Sequence, residues 1–312
     1  MNVTKERTYF ISIDIENEDD TGLGNNTVEL TFTNKELLHA IVTCGLPIQR
    51  LTRAFDKKRS TEILYKTMVV ETALEESGDH LKKSAETLYL DSSEKSMMSY
   101  YLGMFFTKLI SKRLYEVDYL TNLNTIQGED GYLDYFCGKW RPDMIGYKVA
   151  DGSWSVWEAK GGSNRRAPAL KMGCEQAGDI KSLNGKIPEP AAVCMTYYDH
   201  GYLTAVVKNA KSEEGKEVTF TAGEFYRSYY EGIRELFVEY GNTMKWEDGN
   251  VEITVELPEY QDGSRRVQIG ISEQLFQKIM KEEYGAIEEI DRVPINKYQD
   301  ERFVGGDGIY IK

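Results

Sequence analysis

The stretch from Arg141 to Gly161 has fewer ways to fold than any other part of this sequence. Apolar residues alternate with polar ones on both sides of Asp151-Gly152, a dipeptide that favours a two-residue turn with positive φ at both positions. The pattern predicts a β-hairpin in which Ala150 pairs with Ser153, so that Asp143 stands opposite Lys160 and Ile145 opposite Glu158. Side chains alternate faces along a strand. Asp143, Ile145, Tyr147 and Val149 therefore share a face with Trp154, Val156, Glu158 and Lys160. That face is apolar near the turn and carries two acids and an amine at its open end.

Carboxylates on diagonal positions of a strand pair lie about 7–8 Å apart at the backbone, close enough for their oxygens to meet on one cation. Hard oxygen donors suit Mg²⁺ or Mn²⁺ better than zinc. Taken singly, Asp143 after Pro142 reads as a turn residue, and Glu158 with Lys160 as a solvated pair of little energetic value. Together on one partly apolar face they are more simply explained by a cation that compensates the acids.

Pro142-Asp143, followed fifteen positions later by Glu158-Ala159-Lys160, resembles the signature of the PD-(D/E)XK nuclease superfamily. The resemblance implies a mixed α/β fold with a restriction-endonuclease-like core, a central mixed sheet flanked by helices. It implies a Mg²⁺-dependent deoxyribonuclease, an endonuclease in the first instance. Asp143 and Glu158 would be metal ligands, the Ala159 carbonyl a further ligand, and Lys160 the residue that positions the attacking water. Many members of the superfamily add an acid from the helix before the sheet. Here that helix offers Ser99, Gly103 and Thr107, which leaves Glu116 as the nearest additional acid, with Glu129 and Asp130 weaker ones. In one branch a glutamine on the following helix, with a tyrosine four residues on, supports the site. Gln176 matches, but Ile180 stands at the tyrosine position, so Gln176 carries over as a supporting or substrate contact. Arg165 and Arg166, in the basic stretch Gly161–Arg166, are candidates for approach by a phosphate. Restriction, repair and antiphage defence are all settings the resemblance allows, with a companion subunit to supply specificity. The alternative is a catalytically silent module that binds nucleic acid or protein on the same scaffold.

The remainder of the chain bounds this reading. With 312 residues, 41% of them hydrophobic, there is material for one large domain or two modest ones. No run is apolar for long enough to span a bilayer, and the absence of a basic-then-apolar leader leads to the expectation of a cytoplasmic protein. Cys44, Cys137, Cys174 and Cys194 are scattered, which argues against a zinc ribbon or a disulfide framework. The net charge of −13 would repel nucleic acid, yet residues 139–186 hold nine Lys/Arg against five acids. A locally basic strip on an acidic protein can hold a phosphate backbone while limiting unspecific adhesion.

Three segments are expected: an amino-terminal α+β region over 1–90, the nuclease-like core over 91–210, and a carboxyl-terminal α/β extension over 211–312. Strands are predicted over 8–15 and 26–32, then a helix capped by Asn34. Helix and strand readings compete over 61–88. A helix is predicted from Ser92-Ser93 to about Tyr115, a strand within 117–126, a helix from Pro168 to Asn184-Gly185, and strands over 191–198 and 202–207. A packed helix over 222–240, strands near 250–257 and 265–271, a helix from Ser272 and an edge strand within 306–312 complete the expectation.

Overall fold

The computed structural model describes residues 1–16, 26–44, 59–128, 131–132, 141–211, 215–260, 263–290 and 302–312. The first strands are β1 (Thr8–Glu16), β2 (Asn26–Thr33), β3 (Leu74–Ser77), β4 (His80–Lys83) and β5 (Tyr119–Asn122). Two short strands, β6 (Gln127–Gly128) and β7 (Gly131–Tyr132), precede the hairpin of β8 (Met144–Lys148) and β9 (Ser153–Gly161). Then come β10 (Ile180–Leu183), β11 (Ala191–Asp199), β12 (Tyr202–Asn209) and β13 (Lys216–Val218). The last strands are β14 (Lys245–Glu247), β15 (Asn250–Tyr260), β16 (Gly263–Ser272), β17 (Phe303–Val304) and β18 (Ile309–Ile311). The helices are α1 (Asn34–Thr43), α2 (Arg59–Ala73), α3 (Ser92–Tyr115), α4 (Ala167–Ala177), α5 (Ala222–Glu239) and α6 (Glu273–Met280). The fold is mixed α/β.

The main sheet runs β2-β1-β4-β12-β11-β9-β8-β5, with β3 on β4 and a direct β1–β12 pairing beside β4. Parallel pairs (β1 with β12, β9 with β11) sit among antiparallel ones. A second sheet, β14-β15-β16-β18-β17, gathers the carboxyl-terminal strands. One apolar core runs from Val3 to Ile311, and β1 lies directly on β12, so all three expected segments share it and the line at residue 90 falls within a single sheet. Among the described residues no helix is long and apolar enough to cross a membrane.

Local chemistry explains where several elements begin and end. Helix α1 is capped by Thr33 rather than Asn34, because Thr33 and Glu36 form a reciprocal capping box. Asp91, with Glu94, does the same for α3 in place of Ser92-Ser93. Helix α4 stops at Ala177, short of Asn184, because Ile180–Leu183 pair with Lys216–Val218 as a strand, and Ile180 is therefore not on the helix. Strand β18 is not at an edge: it lies between β16 and β17.

The hairpin differs from expectation in its turn. Met144 pairs with Trp157 and Lys148 with Ser153, so four residues, Val149 to Gly152, make the connection. The Gly152 N–H donates to the Lys148 carbonyl at 3.0 Å, and Gly152 alone of these takes the left-handed conformation, φ +68°. Asp151 keeps negative φ and uses its carboxylate to accept the Ser153 N–H at 3.0 Å. The slip relative to the predicted register is two residues, an even number, so every side chain keeps its face. Extended by one step, this register puts Asp143 opposite Glu158 instead of Lys160.

Helices α3 and α4 both pack on β9 and β11. The contact with α3 is a backbone contact: a Cβ on Gly161 would lie 1.7 Å from the Ser99 carbonyl oxygen, and one on Gly103 would lie 2.7 Å from that of Lys160. Gly103 is thus a position where the approach of the strand leaves no room for a side chain, a carboxylate included.

Candidate active site

Asp143 sits just before β8, where the hairpin opens, and its backbone is tied down by the Leu123 N–H donating to its carbonyl at 3.0 Å. Its own N–H donates to Glu158 Oε2 at 2.9 Å, while its Oδ2 accepts the Ala159 N–H at 3.0 Å. Each acid is therefore held by the other's strand. Along β9 the Val156 N–H turns toward Pro190, on the β11 side, and alternation then turns the backbone groups of Ala159, carbonyl included, toward Asp143. The Lys160 amine donates to Glu158 Oε1 and to Gln176 Oε1, the latter at 2.7 Å. Gln176 in turn donates through Nε2 to the Arg141 carbonyl at 3.3 Å, closing a ring from α4 back to the chain just ahead of Asp143. The structure thus brings together Asp143, Glu158, Ala159, Lys160 and Gln176.

The electrostatics follow from two acids and one amine in partial enclosure. Glu158 is 1% exposed, Asp143 is half-buried and the Lys160 side chain is 22% exposed. Burial, followed by the charge of Asp143, pushes the Glu158 carboxyl up to about 8, against the opposing pull of Lys160. Burial also raises Asp143, opposed by the Ala159 N–H and by Lys160. A divalent cation would relieve both shifts. The donors available to it are Asp143, Glu158 and the Ala159 carbonyl, all hard oxygens. Among the described residues no group of three or more acidic, histidine or cysteine side chains converges to hold a metal. One or two carboxylates, with water and phosphate oxygens completing the shell, is how Mg²⁺ is commonly held, so the donor set fits that ion.

Other residues singled out in the sequence lie elsewhere. Glu116 ends α3 in the left-handed conformation, is 73% exposed and pairs with Lys148 at 2.7 Å. Lys148 is at the turn end of β8, about 16 Å along the strand from Asp143, so Glu116 is not an additional site acid. Arg165 is paired with Glu16, and with Asp14 at 3.9 Å, on β1 beyond β11 and β12. Arg166 is the exposed cap residue of α4 and makes no side-chain capping bond. Glu129 and Asp130 lie outside the described residues. One neighbour escaped the sequence reading: Tyr100 on α3, whose phenol is raised by burial and then by the charges of Asp143, Cys44 and Glu158. Its only sequence signal was helical spacing from Met97 next to Ser99.

No protein-family model, no curated protein and no solved structure matches this chain.

Proposed function

We propose that this chain is a metal-dependent nuclease that hydrolyses phosphodiester bonds, with DNA as its substrate, built on a restriction-endonuclease-like core. The observation that supports this reading is the meeting of Asp143, Glu158 and Lys160 at the open end of one hairpin, two under-compensated acids beside a partly exposed amine. Asp143, Glu158 and the Ala159 carbonyl would hold Mg²⁺ or Mn²⁺. When bound, such an ion offsets negative charge developing on the phosphoryl oxygens and makes water more acidic. Lys160, kept in place by Glu158 and Gln176, donates a hydrogen bond to the attacking water and orients it toward phosphorus. Gln176 acts through Lys160 and is a positioning residue.

A catalytically silent binding module is the second reading, favoured by the two-carboxylate donor set where many relatives of such a scaffold use three. Incubation of the purified protein with covalently closed circular DNA, with Mg²⁺ or with EDTA, separates the two. Nicking that requires Mg²⁺ and falls by about a hundredfold or more in a folded Lys160→Ala protein is the expected result. Equal cutting by that variant contradicts the assignment, and DNA binding that is indifferent to EDTA with no cutting by either protein favours the silent module.

A further inference from the structure

A group of exposed aromatic and thioether side chains begins beside this site. Tyr65 and Met68 on α2, three residues apart, and Met97 and Tyr100 on α3, also three apart, are each between 37% and 49% exposed. Residues at this spacing share a helix face. Tyr101 joins the two helices: its ring lies 5.7 Å from that of Tyr65 and 5.4 Å from that of Tyr100, both edge-on, and it stacks at 5.8 Å on Phe105 in the core. The Tyr65 hydroxyl lies 2.7 Å from Met97 Sδ, so the pieces form one surface. The end nearest the site is fixed by Ser99, whose carbonyl abuts Gly161 immediately after Lys160, with Tyr100 the next residue.

The charge of this surface discriminates between occupants. In α2 and from Ser92 to Tyr101 the cationic residues are Arg59 and Lys66, both buried, and Lys95, half-buried; none is fully exposed. A duplex presents two rows of phosphates and is held by cations. A single strand is held partly through its phosphates as well, but its unpaired bases can in addition stack on aromatic faces, a contact that paired and stacked bases within a duplex do not offer and that does not depend on sequence. Lone exposed apolar residues need no explanation, but four in contiguity across two helices, leading to a candidate site for strand cleavage, do.

We propose that Tyr65, Met68, Met97, Tyr100 and Tyr101 form a stacking platform for unpaired nucleobases next to the scissile phosphate, which makes single-stranded DNA the substrate class. This rests on the nuclease reading for its chemistry but is tested apart from it. Fluorescein-labelled oligo(dT) of fifteen nucleotides and a fifteen-base-pair duplex are titrated with protein in EDTA and followed by anisotropy. The oligonucleotide is expected to bind at least about tenfold more tightly than the duplex. Tyr65→Leu and Tyr100→Leu, which keep apolar bulk and remove the ring, are each expected to weaken oligo(dT) binding about tenfold and leave the duplex unchanged, whereas Tyr→Phe at either position retains binding. Equal or tighter binding of duplex, or Leu variants that bind like the parent, overturns the proposal. So does a change of oligomeric state in those variants without a change in oligo(dT) affinity, which would mark the surface as a contact between two copies of the chain. Adding Mg²⁺ to the same oligonucleotide separates the two claims: ring-dependent binding without cleavage removes the nuclease reading and leaves the platform, while ring-independent cleavage does the reverse.

Discussion

Asp307 and Glu158 are almost equally enclosed, at 2% and 1% exposure, yet their surroundings treat them in opposite ways. Asp307 accepts from His39 Nε2 at 3.0 Å, from the Ile309 N–H at 3.1 Å and from the Tyr229 hydroxyl. Lys108 donates to that same hydroxyl at 2.9 Å, and Lys112 lies 4.4 Å above the Phe303 ring. Burial alone would raise Asp307, but His39, Lys112 and Lys108 outweigh it and hold the carboxyl well below its usual range. Burial pushes His39 itself down to about 4, so at neutral pH it is an uncharged donor and the compensating charge comes from the two lysines. Glu158 has a second acid beside it and one amine, and it is pushed up to about 8. Charge that fixes a fold is neutralised from within, whereas charge left over after internal pairing is where an external cation and its chemistry can enter.

Breaking the first region should be felt in stability. Asp307→Ala removes the largest counter-charge of Lys108 and Lys112 and is expected to cost about 3–5 kcal/mol, read from urea unfolding midpoints. Breaking the second should be felt in turnover. Asp143→Asn keeps shape and an acceptor oxygen for the Ala159 N–H but removes the anion beside Glu158. It is expected to lower Mg²⁺-dependent cleavage about a thousandfold, with the melting temperature unchanged or raised. A melting temperature that collapses in Asp143→Asn and holds in Asp307→Ala would invert the comparison.

Smaller effects sharpen it. Gln176→Ala leaves the Lys160 amine with Glu158 as its one remaining partner in the site and is expected to reduce the cleavage rate about tenfold without altering metal affinity. Glu116→Gln touches an exposed pair at the other end of the hairpin and is expected to leave activity unchanged and stability within about 0.5 kcal/mol.

The two regions also differ in how far the sequence disclosed them. The site's residues lie within 35 positions of one another, from Arg141 to Gln176, and period-two alternation was enough to put Asp143, Glu158 and Lys160 on one face. The register was missed by two because Asp151 spends its side chain on Ser153 instead of taking positive φ, a choice that the Asp-Gly dipeptide does not reveal. The end of α4 was missed because the strand partner of Ile180–Leu183 begins at Lys216, too far along the chain for local propensity to register. The Asp307 cluster joins residues 268 positions apart and has no local signature at all. Tyr100 was passed over because a surface tyrosine on an amphipathic helix looks the same in sequence whether or not a carboxylate lies beside it.

The central claim is that Asp143 and Glu158, both ionised, would carry more buried negative charge than their neighbours neutralise, so that a proton keeps Glu158 neutral until a divalent ion takes its place. Because folding lifts Glu158 from its ordinary value of 4.5 to about 8, the metal-free protein holds a proton that the unfolded chain has lost. The stability tied to that proton is complete below the ordinary value and disappears as pH rises through about 8. A cation displaces the proton, so calorimetric titration of Mn²⁺ into the parent and into Glu158→Gln, at pH 6, 7 and 8, tests the claim most directly. The expected result is one site in the parent whose apparent affinity rises about tenfold per pH unit up to pH 8, with proton release, and no such site in the variant. An affinity that does not change with pH, or that survives in Glu158→Gln, would contradict it.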